Sequence, residues 1–173
     1  MAKITEESRK EFQQEANRYK ERIAELLEKE KNVLELVKMG GADIEYKKLL
    51  LAEEMIHIST FYVAINGSSL KILNVKNNDA LNDARKTLYK AIIYLEEVVT
   101  NSVNISHSEL TSNLESIANI PIQKRYLLVQ KLGLAIQMVI DGFGENSKWK
   151  WSFVELQGRF SVVAKNLLDM KIA

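Results

Sequence analysis

Cysteine is absent from this chain of 173 residues, and its absence excludes two kinds of chemistry. Without thiols the chain forms no disulfide framework and offers no thiolate as a nucleophile or a metal ligand. A serine nucleophile has no G-x-S-x-G motif to carry it, and only two histidines are present to serve as a base. The glycine-rich phosphate loops are missing as well. The common nucleophilic and nucleotide-binding enzymes are therefore excluded.

Proline and glycine are scarce, with one proline and seven glycines in the whole chain. Proline cannot continue a helix, and glycine readily adopts the left-handed conformation that ends one. Most of these residues fall between stretches of helical periodicity: Gly40, Gly41, Gly67, Pro121, Gly142 and Gly144. They predict the joints of an all-helical protein. Gly133 and Gly158 lie within the last two predicted helices, where we expect them to allow close packing.

An excess of one charge is also lacking, because 24 Lys and Arg face 23 Asp and Glu. A net charge of +1 gives no broad field that would favour nucleic acid or anionic lipid. Residues 121–173 carry eight basic against four acidic residues, a small excess typical of a solvated face. We therefore expect no nucleic acid as a partner, and keep nucleic-acid binding by this half only as a weaker alternative.

Long hydrophobic runs are missing too. The most apolar segment, 127–140, is interrupted by Gln130, Lys131 and Gln137, so we expect no membrane span. The first twelve residues contain no apolar region of the signal-peptide type. The expected location is the cytoplasm, and the richness in Ile, Lys and Asn suggests a bacterial source.

What the chain does contain is apolar residues that recur every three or four positions. This pattern predicts a single-domain all-α helical bundle of about five to six helices, with a long N-terminal helix. The predicted helices span residues 5–39, 43–66, 80–104, 107–119, 121–141 and 148–170. Residues 67–79 are predicted to form the longest ordered loop.

Three of these helices have distinctive patterns. The first would be about 50 Å long, so its N-terminal part is expected to project or to pack on a partner. The second is apolar on most sides, which is typical of a central helix. The last has a narrow seam of coiled-coil spacing that favours a partner helix: Trp149, Phe153, Leu156, Phe160, Val163, Leu167 and Met170.

A metal centre is the sharpest catalytic candidate. Glu54 and His57 lie three residues apart on one helix face, as in half of a ferritin-like di-iron site. Glu30 and either Glu96 or Glu97 could supply further carboxylates. The second Glu-x-x-His is missing, since His107 has no glutamate three residues before it. We therefore favour a structural patch and predict no cofactor.

Aromatic and basic residues supply the candidate partner surfaces. Trp151 lies two residues from the seam, and with Phe143, Lys148 and Lys150 it could form a rim for an acidic partner. Phe12 and Tyr19 are the candidates on the long first helix. A second basic group, Arg85, Lys86 and Lys90, fits a phosphate in spacing but is typical of an ordinary lysine-rich surface.

These patterns favour a non-catalytic helical module for protein–protein interaction, such as an adaptor, a chaperone-like binder or an assembly subunit. The expected partner is a second copy of the chain or another helical protein. The alternative is a metal-binding helical-bundle enzyme that uses Glu54 and His57.

Overall fold

The chain is an all-α helical bundle, as its periodicity predicts. The computed structural model describes residues 5–40, 44–104, 122–144 and 148–169. Within these ranges it has no strand and contains five helices: α1 (Glu6–Lys38), α2 (Ile44–Leu73), α3 (Asn78–Asn104), α4 (Ile122–Phe143) and α5 (Lys150–Asp169). The short helix predicted at 107–119 lies outside the described residues.

The first helix begins and ends where the sequence predicts. Thr5 is its N-cap, and the Thr5 hydroxyl accepts a hydrogen bond from the Ser8 N–H at 3.1 Å. At the other end the Gly40 N–H donates to the Val37 carbonyl at 3.0 Å. Gly40 has a φ of 82°, the left-handed conformation that ends helices at glycine.

The predicted loop at 67–79 is wrong, because α2 continues through Gly67 to Leu73. A glycine inside a helix costs only about 1 kcal/mol, and the neighbouring Ile65, Asn66 and Ser68 are buried. The connection to α3 is a turn at 74–77 in which Asn74 adopts a φ of 53°. The Asn66 carboxamide oxygen accepts from the Asn77 N–H at 2.8 Å and so fixes this turn.

Gly142 also fails to end a helix, contrary to the predicted boundary at 141. Helix α4 runs to Phe143, and Gly144 ends it with a φ of 86°. Gly142 is needed for space instead, since a Cβ there would lie 2.7 Å from Leu81 Cδ2. Gly133 has a similar role, because its Cβ would lie 3.2 Å from the Phe160 ring. Close packing at Gly133 is therefore confirmed.

Helix α2 is central, as its nearly uniform apolar character predicts. It contacts α1, α3 and α4, while α5 packs on α3 and α4. The Lys76 ammonium donates to the Phe143 carbonyl at 3.1 Å, so the C-terminal ends of α2 and α4 meet. Eleven side chains form the most deeply buried part of the core: Leu51, Met55, Ile56, Ile58, Leu81, Leu88, Ile92, Leu95, Leu132, Ile136 and Leu156.

The coiled-coil seam of the last helix packs inside the bundle. Phe153, Leu156, Val163 and Leu167 are buried, and Trp149 and Phe160 are half-buried. Met170, the last residue of the predicted seam, lies outside the described residues. The buried Arg125 guanidinium donates to the Leu167 carbonyl at 2.7 Å and ties α4 to the C-terminal turn of α5. The seam is therefore engaged by the chain's own core.

Candidate interaction surface

The candidate metal ligands are separated and bind different partners. Glu54 pairs with Lys29 at 2.7 Å, and Glu97 pairs with Lys48 at 2.8 Å. Among the described residues no three His, Cys, Asp or Glu side chains come close enough to hold one ion. His57 is half-buried on α2 and has no such group around it. Glu54 and Glu97 therefore form ion pairs between helices.

Glu30 is the one buried member of the candidate metal set, and it joins α1 to α3. Its carboxylate accepts from the Tyr94 hydroxyl at 2.9 Å, and Lys90 lies 3.6 Å away. Burial and the hydrogen bond to Glu30 raise the pKa of Tyr94 above its usual value. Tyr94 therefore remains a neutral donor, and the contact is a structural bridge.

The candidate basic group on α3 is also used within the bundle. The Arg85 guanidinium lies 4.0 Å from the centre of the Trp149 ring and donates to the Asn82 carboxamide oxygen at 2.8 Å. Lys86 and Lys90 are both exposed, and the Lys90 ammonium lies 3.6 Å from the Glu30 carboxylate. Two of the three cations therefore connect helices.

The contact between α3 and α5 is polar and closely paired. Arg159 of α5 forms a two-pronged hydrogen bond with the carboxylate of Glu96 on α3, and this bond raises the pKa of Arg159. Two turns towards the N-termini, the Tyr89 hydroxyl donates to the Ser152 carbonyl at 2.6 Å. These contacts fix the rotation of α5 about its own axis. They thereby decide which of its faces points outward.

The candidate partner residues on the first helix, Phe12 and Tyr19, are half-buried against α2. The Tyr19 ring stacks on Phe61 with centroids 5.8 Å apart. The Lys71 ammonium lies 5.1 Å from the centre of the Phe12 ring. Residues beyond 66 were predicted to be loop, so the predicted helices provided no neighbour for the end of α1 that contains Phe12. Both aromatic rings have partners within the chain.

Phe143 and Lys148 lie at the end of the bundle where α4 and α5 meet. The Phe143 ring has tilted contacts with Trp149 and Phe153, at 6.3 and 5.5 Å between centroids. The Lys148 ammonium lies 5.3 Å from the centre of the Trp149 ring. An open depression of about 370 Å³ lies beside them and is lined by seven residues: Lys76, Asn78, Asp79, Asn82, Phe143, Lys148 and Trp149.

Trp151 stands apart from the other candidates, because 78% of its surface is exposed. Lys150 beside it is exposed as well. We call the solvent side of this helix the α5 outer face, which consists of Trp151, Val154, Glu155, Gly158, Ser161, Val162, Lys165 and Asp169. All eight are exposed and recur every three or four residues on the side opposite the buried seam. A Cβ added at Gly158 would meet no atom within 4 Å, so Gly158 makes no close packing contact with the described part of its own chain.

The solvent side of α4 is a second apolar surface, which the sequence reading missed. We call it the α4 outer face, made of Gln123, Leu127, Gln130, Leu134, Gln137 and Met138. All six side chains are exposed, and Leu134 is 67% exposed. The periodicity assigned apolar residues of this helix to one stripe facing the core. The seven-residue spacing of Leu127 and Leu134, outside that stripe, was the available signal.

One helix among the described residues is long and apolar enough to cross a membrane by length and composition. It is the segment Gln123–Phe143, with a mean hydropathy of 1.3 and 28% of its most apolar window buried. No membrane span was expected here, because Gln130, Lys131 and Gln137 interrupt the apolar segment 127–140. Core helices of soluble proteins pass the same test.

The comparison with known proteins gives one match. The model of the TP0443 family matches residues 8–173. No curated protein and no solved structure matches the chain.

Proposed function

The chain belongs to the TP0443 family, and we propose that this member is a non-catalytic helical module that binds another protein through the outer faces of α4 and α5. Adaptor, chaperone-like binder and assembly subunit are the forms that such a module takes. Its rigid part is the bundle core, and its binding part is the solvent side of the last two helices.

The observation that carries this proposal is the concentration of exposed apolar side chains at one end of the sequence. Fourteen large hydrophobic residues are exposed among the described residues, and seven of them belong to α4 and α5. These seven are Tyr126, Leu127, Leu134, Met138, Trp151, Val154 and Val162. Scattered exposed hydrophobics are normal, whereas grouped ones mark binding surfaces.

The polar residues among them fit a protein partner better than a lipid surface. Gln123, Gln130 and Gln137 alternate with the leucines on the α4 outer face, and amide side chains form hydrogen bonds across protein interfaces. Helices that lie on membranes carry many Lys and Arg on their polar side, whereas Lys124 is the one fully exposed basic residue among the described residues of α4. Trp151 supplies the kind of aromatic anchor that dominates binding energy at protein interfaces.

A capture experiment with matched variants tests this function. The full chain is immobilised and exposed to lysate of the native organism, and bound proteins are compared between wild type, Leu134→Glu and Trp151→Glu. The control is Leu36→Glu on α1, which places the same charge at a residue that is 49% exposed. We expect a specific partner that wild type and the control retain and both other variants lose.

Two results would contradict the function. One is a partner whose binding is lost with Leu36→Glu and retained with Leu134→Glu and Trp151→Glu, because it would place the binding surface on α1. The other is flotation of the wild type with lipid vesicles that Leu134→Glu abolishes while no protein is captured. That result would assign the same face to a membrane.

A further inference from the structure

The α5 outer face has features that point to a second copy of itself as the occupant. It presents Trp151, Val154 and Val162 to solvent, with Gly158 at its middle. Its charged residues are Glu155, Lys165 and Asp169, and the exposed Lys150 borders the face at the start of the helix. We propose that two copies of the chain pair through this face, with their α5 helices antiparallel and crossing at Gly158.

The order of charges favours the antiparallel arrangement. In a parallel pair each charged side chain lies beside its own copy, so Lys165 meets Lys165 and Glu155 meets Glu155. In an antiparallel pair centred on Gly158, Lys150 lies within one turn of Asp169 of the other copy. Glu155 lies about 6 Å along the axis from Lys165 of the other copy, a distance within reach of a lysine side chain. Each attractive pair then occurs twice, as two-fold symmetry requires.

The uncharged residues fit the same centre. A two-fold axis at Gly158 places Val154 opposite Val162 of the other copy, because both lie four residues from the axis. It places Trp151 opposite Lys165, where an ammonium over an indole ring is attractive. The axis itself requires two backbones to approach, and Gly158 presents no side chain there. A residue with no neighbour within its own chain thereby acquires a role.

The size of the α5 outer face determines how tightly the two copies should bind each other. It contributes eight residues per copy, whereas stable interfaces use about 20–30 residues per side. We therefore expect a reversible dimer with a dissociation constant in roughly the micromolar range. The inference rests on the proposed function and names the partner of the same surface.

Cysteine cross-linking tests the arrangement directly, since the natural chain contains no cysteine. In the antiparallel pair only the residue on the axis meets its own copy. A disulfide needs Cα atoms about 4.4–6.8 Å apart, so Gly158→Cys should form a cross-linked dimer under mild oxidation. Ser161→Cys is the matched control, because Ser161 is exposed on the same face, has no assigned contact in the pair and lies about 9 Å along the axis from its own copy. We expect at least about fivefold more cross-linked dimer from Gly158→Cys.

Charge exchange on unoxidised protein supplies a second readout. Sedimentation of the wild type should show a mass that rises with concentration from 19.8 kDa towards twice that value. Glu155→Lys alone and Lys165→Glu alone should each weaken the dimer by roughly three- to tenfold. The double exchange should restore part of the loss, because the attractive pairs between residues 155 and 165 return with reversed sign while the ammonium over Trp151 stays absent.

Each other outcome overturns the pairing. Equal cross-linking at both cysteines would indicate parallel or random contact. If the double exchange fails to strengthen the dimer relative to the single variants, the proposed ion pairs between the two copies are wrong. A wild type that stays monomeric at several hundred micromolar removes self-association altogether. The capture experiment then decides the proposed function separately: a protein partner lost with Trp151→Glu keeps that function and gives the face another occupant.

Discussion

The first and the last pairs of helices differ in what covers their apolar side chains. Helix α1 is the longest, yet its apolar stripe is covered by α2, with Ala16, Ile23 and Leu26 buried and mostly charged residues outside. Helices α4 and α5 bury one stripe each and expose a second apolar face to solvent. Length therefore does not identify the helix that is available to a partner. We propose that uncovered apolar area identifies that helix.

The largest change in the free energy of unfolding that we expect is for a buried side chain of α1. Leu26→Ala on α1 removes a side chain that is 4% exposed, and the transfer and cavity terms should lower the free energy of unfolding by about 2–5 kcal/mol. Leu134→Ala on α4 should change it by no more than about 0.5 kcal/mol, because that side chain is already in water. Urea unfolding of both variants measures the difference. Similar losses in both would mean that the α4 outer face is covered.

Gly142 and Gly158 give the next contrast, because replacing each of them with alanine should change the free energy of unfolding in opposite directions. Gly142→Ala forces a methyl group against the fully buried Leu81, and overpacking should destabilise the chain by about 1–3 kcal/mol. Gly158→Ala meets no atom and improves helix propensity, so it should stabilise the dilute monomer by up to about 1 kcal/mol. Thermal unfolding at low protein concentration is the measurement. A stabilised Gly142→Ala would show that α4 ends earlier and packs less closely.

The smallest of these effects concerns the bridge between α1 and α3. Tyr94→Phe leaves the buried Glu30 without its hydroxyl donor and should cost about 1–2 kcal/mol near pH 7. The folded chain raises the pKa of Tyr94, so the unfolded chain loses the phenolic proton first as pH rises. The wild type should therefore exceed Tyr94→Phe in free energy of unfolding by the full amount below the unfolded pKa of about 10, and this difference should become smaller above it. A constant difference from pH 7 to 11 would remove the ionisation argument.

The helical class and most of the helix bodies could be predicted, because burial of one stripe leaves a period in the sequence. The ends were less predictable, as four glycines illustrate. Gly40 and Gly144 adopt a positive φ and end helices, whereas α2 and α4 continue through Gly67 and Gly142. The same residue type serves a turn or a close contact, and only the neighbouring helix decides between them.

The candidate surface was predictable in part. Trp151 stood out because it lies off the seam, and it is the most exposed of the aromatic candidates. Phe12 and Tyr19 are aromatic as well, but Lys71 and Phe61 of α2 pack on their rings. The Leu127 and Leu134 face was missed because periodicity reports which residues are apolar and not which ones remain uncovered.

Oxidative footprinting by hydroxyl radicals tests most directly whether α4 and α5 provide the binding surface. The rates of side-chain oxidation are compared between the free chain and its associated form, either the concentrated chain or the captured complex. Trp151 and Met138 report on the two outer faces, and Met39, which is 83% exposed at the end of α1, is the internal reference. We predict that capture of a partner slows oxidation of Trp151 and Met138, that self-association slows oxidation of Trp151, and that both leave Met39 unchanged. Protection of Met39 with no change at Trp151 and Met138 would contradict the account.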